Sequence, residues 1–325
     1  MRILVSGGAG FIGSHLVEKL LDLAGIERVV IYDNLSSGTL EHLGACRNDG
    51  RIDFIEADIK HLGELTAAMR GVDTVFHLAS NPDIAKAARQ PDIDFWEGTY
   101  LARNVLEAMR VSSVRRIFFT SGSGVYGDRP EIAFAEDYGP CFPISTYGAS
   151  KLACEALICS YCHMFGLIGR AFRFANVVGP RQTHGVGYDF ARRLRQDPSQ
   201  LRILGDGSQC KSYIHVDDVL AAILLVRSAL SDATAFDVFN VATDDYITVN
   251  EIADIAVIES GYETSSVRYA HTGGDRGWKG DVPKVLFDTT KIKALGWRPQ
   301  RSSAQAIRDS LRAMIAELNA GRVPT

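Results

Sequence analysis

The sequence predicts an α/β protein, a doubly wound parallel sheet followed by a smaller C-terminal α/β lobe. The first observation is a rhythm. Runs that are apolar throughout, such as Ile3–Val5 and Val29–Tyr32, alternate with stretches whose apolar residues recur at helical spacing. Strands without a polar face, separated by helices, belong to a parallel sheet covered on both sides. The second is size and make-up. A chain of 325 residues, 46% apolar and 23% charged, is ordinary globular material for about two domains.

Each element follows from that rhythm. Arg2–Ser6 is a predicted strand ending in glycines, and Gly13–Leu23 a helix with Leu16, Leu20 and Leu23 on one face. Val29–Tyr32 and Ile52–Glu56 are predicted strands, Leu62–Arg70 a helix and Thr74–Leu78 a strand. Phe95–Met109 reads as a helix, Arg116–Ser121 as a strand, Tyr147–Phe165 as a long helix and Ile168–Phe174 as a strand. After Asn176 the alternation gives way to stretches rich in Gly, Pro and Arg, read as loops around Arg181–Tyr188 and Leu201–Gly207. Val216–Leu230 then reads as a helix and Val238–Val241 as a strand, both assigned to the first domain, and the remainder, including Val249–Glu259 and Ser303–Leu318, is expected to make the smaller lobe. The expected division is a dinucleotide-type domain of 1–175 with 212–243, and a lobe of 176–211 with 244–325.

Composition excludes several functions. A formal charge of -4 argues against a broad platform for nucleic acid or anionic membrane. No apolar run reaches the ~18 residues of a membrane span. The opening MRILVSGGAG is too short and too Gly-rich for a signal peptide, so the cytoplasm is the expected location. Six scattered cysteines in a large chain are expected as free thiols. Cys159–His163 reads C-x-x-C-H, the pattern of covalent haem attachment, but it lies within a helical run where small and apolar residues pack. No metal site is expected.

Chemistry concentrates at two places. Gly7, Gly8, Gly10 and Gly13 stand between the first strand and the first helix, where glycines let the backbone approach a pyrophosphate. The helix N-terminus behind them offers free N–H groups and a positive dipole end. Asp33 ends the second strand, twenty residues beyond Gly13, where a carboxylate accepts from an adenosine ribose. It repels a 2′-phosphate, which predicts NAD rather than NADP. Asp58, after the third strand, is placed to meet the adenine amino group. The second place is Tyr147 and Lys151, spaced Y-x-x-x-K on one helix face. Turning a phenol into a base near pH 7 takes roughly 4 kcal/mol of differential stabilisation. Lys151 and a positive nicotinamide supply it through nearby charge.

The order of motifs carries a resemblance. GGAGFIG, HLAS (77–80), GVYG (124–127), YGASK (147–151), RFANVVGPRQ (173–182), GDGSQCKSYIHVDDV (205–219) and GDVP (280–283) span nearly the whole chain. In this order the chain resembles the NAD-dependent epimerase/dehydratase family of extended short-chain dehydrogenase/reductases, and is most similar to UDP-glucose 4-epimerases. The resemblance implies a Rossmann-type domain holding NAD through Gly7, Gly10, Phe11, Ile12, Gly13, Asp33, Asn34, Asp58, Ile59, Leu78, Ala79, Tyr147 and Lys151. It implies Tyr147 as base and Lys151 as its partner on the cofactor ribose. A nucleotide sugar, UDP-linked by preference, would meet Asn176, Arg181, Lys211 and Arg276, with Val285 beside the sugar's 2-substituent. Relatives dimerise through the helices Phe95–Met109 and Tyr147–Phe165, so a homodimer is expected.

The chain also departs from that pattern. The hydroxyl expected four residues before Tyr126 is replaced by Gly122. Ser121 should point to the other face and Ser123 is one step off register, which makes Ser123 the candidate substitute. Gly98 aligns with an asparagine, Lys211-Ser212 with Arg-Asp, and Trp278 with an arginine, leaving Arg276 or Lys279 for the diphosphate. Dehydratases carry Asp-Glu where this chain has Ser123-Gly124, and decarboxylating relatives carry Glu at the second position. The expected activity is therefore 4-epimerisation through a 4-keto sugar. The alternatives are dehydration or decarboxylation, and a homologue that binds without turnover.

Overall fold

The computed structural model describes residues 1–229 and 231–321. Leu230, the end of one predicted helix, lies outside the described residues. Contacts group the chain into two compact units. The first is Met1–Val125, Thr146–Arg173 and Ala222–Phe239; the second is Tyr126–Ser145, Phe174–Ala221 and Asn240–Thr325.

The first unit is built on the strands β1 (Arg2–Ser6), β2 (Arg28–Asp33), β3 (Ile52–Glu56), β4 (Thr74–His77), β5 (Arg116–Gly122), β6 (Ile168–Phe174) and β7 (Phe236–Val241). Their order across the seven-stranded sheet is β7-β6-β5-β4-β1-β2-β3. Pairing is parallel from β3 through β2, β1 and β4 to β5. The winding reverses between β1 and β4, and in such sheets ligands bind beyond the carboxyl ends of the strands at that reversal. The continuous apolar runs of β1 and β2 are buried, as a doubly covered sheet requires.

Among the described residues this unit carries the helices α1 (Phe11–Leu21), α2 (Leu62–Ala68), α3 (Tyr100–Val111) and α4 (Thr146–Phe165), and the later part of a further helix from Ala222 on. Leu65, Met69, Val105, Met109, Cys154, Ile158 and Cys162 form one core with Leu4, Val75 and Phe119 of the sheet. Cys162 of the C-x-x-C-H run is thus a packing residue. The predicted helix Phe95–Met109 opens differently, with one turn of π-helix over Phe95–Thr99 before α3.

Among the described residues the second unit holds four short ladders. Asn176–Val178 pairs with Tyr213–His215, Gln200–Ile203 with Arg268–His271, and Ala133–Phe134 with Leu286–Phe287, all parallel; Cys210–Lys211 pairs antiparallel with Ile247–Thr248. Its helices are α5 (Val186–Gln196), the start of α6 (Val216–Ser228), α7 (Val249–Glu259), α8 (Thr290–Ala294) and α9 (Ser303–Asn319). Capping boxes start α7 at Thr248 with Glu251 and α9 at Ser302 with Gln305. Two stretches expected as loops are regular: Tyr188 lies in α5 and Leu201–Ile203 in a strand. The inward face of α5 is Gly187, Tyr188, Phe190, Ala191 and Leu194, and its small residues hide the apolar period.

One buried side chain, at the end of β7 where the chain passes into the second unit, ties three segments of that unit together. Asn240, fully buried, accepts from Tyr126 Oη at 2.6 Å. Its amide donates to the carbonyls of Phe134 at 2.9 Å and Asp288 at 3.0 Å. Tyr126 also stacks on Phe134, with ring centroids 4.4 Å apart. Asn240→Ala removes the acceptor of the Tyr126 hydroxyl and one donor from each of the Phe134 and Asp288 carbonyls, the former keeping the Asp288 N–H at 2.9 Å. We expect it to destabilise the protein by about 2–4 kcal/mol in urea unfolding, against less than about 1 kcal/mol for an exposed control such as Asn48→Ala. Equal losses would show that the network carries no such weight.

Candidate active site

The loop after β1 is shaped by close backbone approach. Gly7 has φ +73°, and a Cβ there would lie 2.8 Å from the Ala79 amide nitrogen. A Cβ on Gly13 would fall on the Gly7 carbonyl oxygen. Both positions therefore require glycine. α1 begins at Gly10 with no side-chain cap and no acidic residue in its first turn. The N–H groups of Phe11, Ile12 and Gly13 have no intrahelical acceptor, so they suit an anion. The Leu78 and Ala79 amides both donate to the Ser6 carbonyl at 3.1 Å, which brings the HLAS segment against the glycine loop.

Asp33 sits beside this loop and is mostly buried. Its Oδ2 accepts from the Ala9 N–H and its Oδ1 from the Leu35 N–H, each at 2.9 Å. The carboxylate is held by main chain, and each oxygen keeps a lone pair for a ribose hydroxyl. Asn34 Nδ2 donates to Asp58 Oδ2 at 3.1 Å, and the Lys60 N–H to Asp58 Oδ1 at 2.9 Å. Asn34 and Asp58 are thus one hydrogen-bonded pair. Ile59 is buried, its carbonyl accepting from Asn104 Nδ2 at 3.1 Å. This cradle, with glycines where a Cβ would intrude and free N–H groups at a helix start, fits a dinucleotide pyrophosphate.

Tyr147 and Lys151 lie in the first two turns of α4. Lys151 is 4% exposed. Its Nζ donates to the Thr120 carbonyl at 2.8 Å and to Ser80 Oγ at 3.3 Å, and lies 5.5 Å from the Tyr147 ring centre. Beneath it, His77 is buried, with Nδ1 2.7 Å from Ser6 Oγ. Burial, then the Lys151 charge, push the His77 pKa down to about 3, so the imidazole is neutral at pH 7.

The departures read clearly here. The Ser121 hydroxyl is taken up by Glu155, eight residues beyond Tyr147 on α4, donating to it at 2.5 Å. At Gly122 the nearest atom to an added Cβ is Tyr147 Cε1 at 4.0 Å, so a hydroxyl-bearing side chain would fit. Ser123, half-buried, starts a short 3-10 turn over Ser123–Val125. A Cβ on Gly98 would lie 2.3 Å from Ser150 Oγ, so a larger residue there requires the Ser150 hydroxyl to leave its place. Ser80, Thr120 and His77 were not singled out as site residues, although Ser80 and His77 lie within HLAS.

The substrate candidates belong to the second unit. Lys211 Nζ is 2.5 Å from Asp281 Oδ1. Arg276 donates to Asp128 Oδ2 at 2.6 Å and to the Asp281 carbonyl at 2.5 Å. These three groups and Asp128 form one network. Asn176 is half-buried in its strand, with its N–H on the Ser212 carbonyl at 3.2 Å. Arg181 has φ +66°, and its N–H donates to the Glu317 carboxylate. Val285 is 4% exposed and packs as an interior residue. Trp278 is half-buried against Gly280. No group of three or more metal-capable side chains occurs among the described residues, and no helix among them is long and apolar enough to cross a membrane.

Comparison with known proteins gives consistent relatives. Residues 3–242 match the family described as NAD dependent epimerase/dehydratase. The UDP-glucose 4-epimerase of Mycolicibacterium smegmatis is 34% identical over 94% of this chain and 96% of its own length. The UDP-glucose 4-epimerase of Thermotoga maritima, solved with UDP-glucose, is 32% identical with a TM-score of 0.86, covering 98% of this chain and 100% of its own. The dTDP-glucose 4,6-dehydratase of Streptomyces venezuelae, solved with NAD bound, is 28% identical with a TM-score of 0.89, covering 99% of each chain.

The buried histidine makes a pH prediction. The His77 pKa is depressed from 6.5 to about 3. Below pH 6.5 the unfolded chain therefore binds the extra proton and the folded chain does not, so stability falls as pH drops toward 3. Between pH 7 and pH 5 this costs about 2 kcal/mol. His77→Asn removes that loss, so the stability gap between parent and variant in urea should narrow by about 2 kcal/mol over that interval. A constant gap would mean that His77 takes up its proton in the folded state.

Proposed function

The chain belongs to the NAD-dependent epimerase/dehydratase family, and we propose that it is a nucleotide-sugar 4-epimerase working through a transient 4-keto sugar. The observation that carries this is Tyr147 paired with buried Lys151, in a unit that also holds the glycine cradle, with no carboxylate at Ser123 or Gly124. A dehydratase or decarboxylase needs an added acid or base for elimination, and these positions hold none. UDP-sugars are the favoured substrates because relatives with matching length and fold act on them.

NAD, when bound, supplies the hydride acceptor for oxidation at carbon 4. The chain does the rest. The phenol oxygen of Tyr147 takes the proton of the 4-hydroxyl, with the Lys151 ammonium stabilising the phenolate. With the ketone's other face presented, the hydride would be handed back to carbon 4 and Tyr147 would return the proton to the same oxygen, leaving no net oxidation. Asp33 selects NAD by repelling a 2′-phosphate. Gly122 leaves the hydroxyl between Tyr147 and sugar to Ser123 or to a water. Lys211 and Arg276 are the diphosphate candidates, each already facing a carboxylate. Gly122 and these occupied cations favour a second reading, a homologue that binds NAD and nucleotide without turnover.

Association follows from surface. Phe95, Trp96, Val111, Met164 and Phe165 are exposed on the π-helical turn, α3 and α4. We propose that this apolar face pairs with a second copy. Light scattering at micromolar concentration should give twice the chain mass, and a monomer mass would remove the dimer.

The activity itself is read by incubating the protein with UDP-, dTDP-, GDP- and CDP-sugars, N-acetylated ones included, and following products by NMR. We expect inversion at carbon 4 with no net consumption of NAD. Tyr147→Phe should lower turnover by about 10²–10⁴ while NAD affinity by calorimetry stays unchanged. No turnover on any sugar would favour the binding reading, and an eliminated water or carbon dioxide would reassign the reaction.

A further inference from the structure

We propose that the buried Glu155–Arg173 pair is an electrostatic positioning element for Tyr147 and Lys151. It clips α4 to the sheet while presenting no net charge beneath them. Tyr147, Lys151 and Glu155 follow one another every four residues along α4, so they share one face. Glu155 and Arg173 are only 4% and 7% exposed at their side chains. Arg173 reaches over from β6, its Nε donating to Oε1 at 3.1 Å and its terminal nitrogen to Oε2 at 2.7 Å. Ser121 Oγ adds a third hydrogen bond at 2.5 Å.

Two adjacent residues of β5 thereby hold two successive turns of α4. The Thr120 carbonyl takes Lys151, and the Ser121 hydroxyl takes Glu155. A buried ion pair is a poor way to gain stability, since packed apolar residues of the same volume often do as well or better. Its use at this place is better accounted for by what it does to the charges above it. Glu155 lies about 12 Å along the helix axis from Tyr147 and about 6 Å from Lys151. At those distances an uncompensated buried charge acts on both. The other charged or titratable groups in the surroundings include Lys151 and the buried Cys154 thiol on α4, which burial pushes up to about 11, Asp94 and Glu97 at the π-helical turn, and His77 on β4. Asp94 is held by Thr146 and Asn81, Glu97 by Lys60, and His77 by Ser6. The described contacts of β5 and the 3-10 turn bring no further charge to the pair.

The test is a spectrophotometric titration of the full-length protein at equal NAD content. Subtracting the matching Tyr147→Phe protein isolates the Tyr147 phenolate. Glu155→Gln leaves the Arg173 charge uncompensated and should move the Tyr147 titration about one pH unit down. Arg173→Gln should move it about one unit up, and the double variant should return to within a few tenths of the parent. Shifts of the same sign, or no shift in folded variants, would overturn the proposal. If either single variant fails to fold, the double variant and the charge-keeping Arg173→Lys decide. Both should titrate with the parent, and a shift above about half a unit in either overturns it. The proposal rests on Tyr147 as the base. That reading fails separately, through undiminished turnover of Tyr147→Phe, whereas the titration needs no substrate.

Discussion

A lysine ammonium removed from water must find acceptors in the protein, and that constraint organises the candidate site. Lys151 is 4% exposed and takes the Thr120 carbonyl, Ser80 Oγ and the faces of Phe119 and Tyr147. Thr120 is on β5 and Ser80 follows β4, so the cation draws two strand ends and one helix to a single point. The same charge, added to burial, keeps His77 neutral. Moving Lys151 would release all of these together, which is why the pair on α4 cannot be treated as two independent side chains.

Much of the first unit was legible because its period is simple. β1 and β2 carry unbroken apolar runs, Ile3–Val5 and Val29–Tyr32, and each was placed from that. The start of α4 was marked by Tyr147 and its end by Phe165. The π-helical turn at Phe95–Thr99 was not legible, because one extra residue in a turn leaves the apolar pattern nearly intact. α5 was missed because Gly187 and Ala191 occupy its inward face. Gly98, aligned with an asparagine, is also where an added Cβ would meet Ser150 Oγ, a contact that sequence spacing does not reveal.

The site was legible where chemistry is local and obscure where it is not. The glycine loop and the pair on α4 are short patterns with a fixed physical meaning. The network around Asp281 joins residues far apart in sequence: Lys211 and Asp281 are 70 residues apart, Asp128 and Arg276 148. No spacing rule reaches across such intervals. The network also changes what the basic residues can be asked to do. An anion arriving at Lys211 meets a cation already 2.5 Å from a carboxylate, so its attraction is offset before contact.

The interleaving of the two units has a consequence for biosynthesis. β7, an edge of the seven-stranded sheet, is supplied by residues 236–241, long after β1 to β5 have been made. Between them the chain has left for the second unit and returned. On a ribosome the nascent sheet therefore waits with β6 as a bare edge, and bare edges recruit strands from other chains. Release of a short product before residue 236 would leave that edge unpaired for good, so truncation in this half of the message should yield material prone to aggregate rather than a smaller working protein.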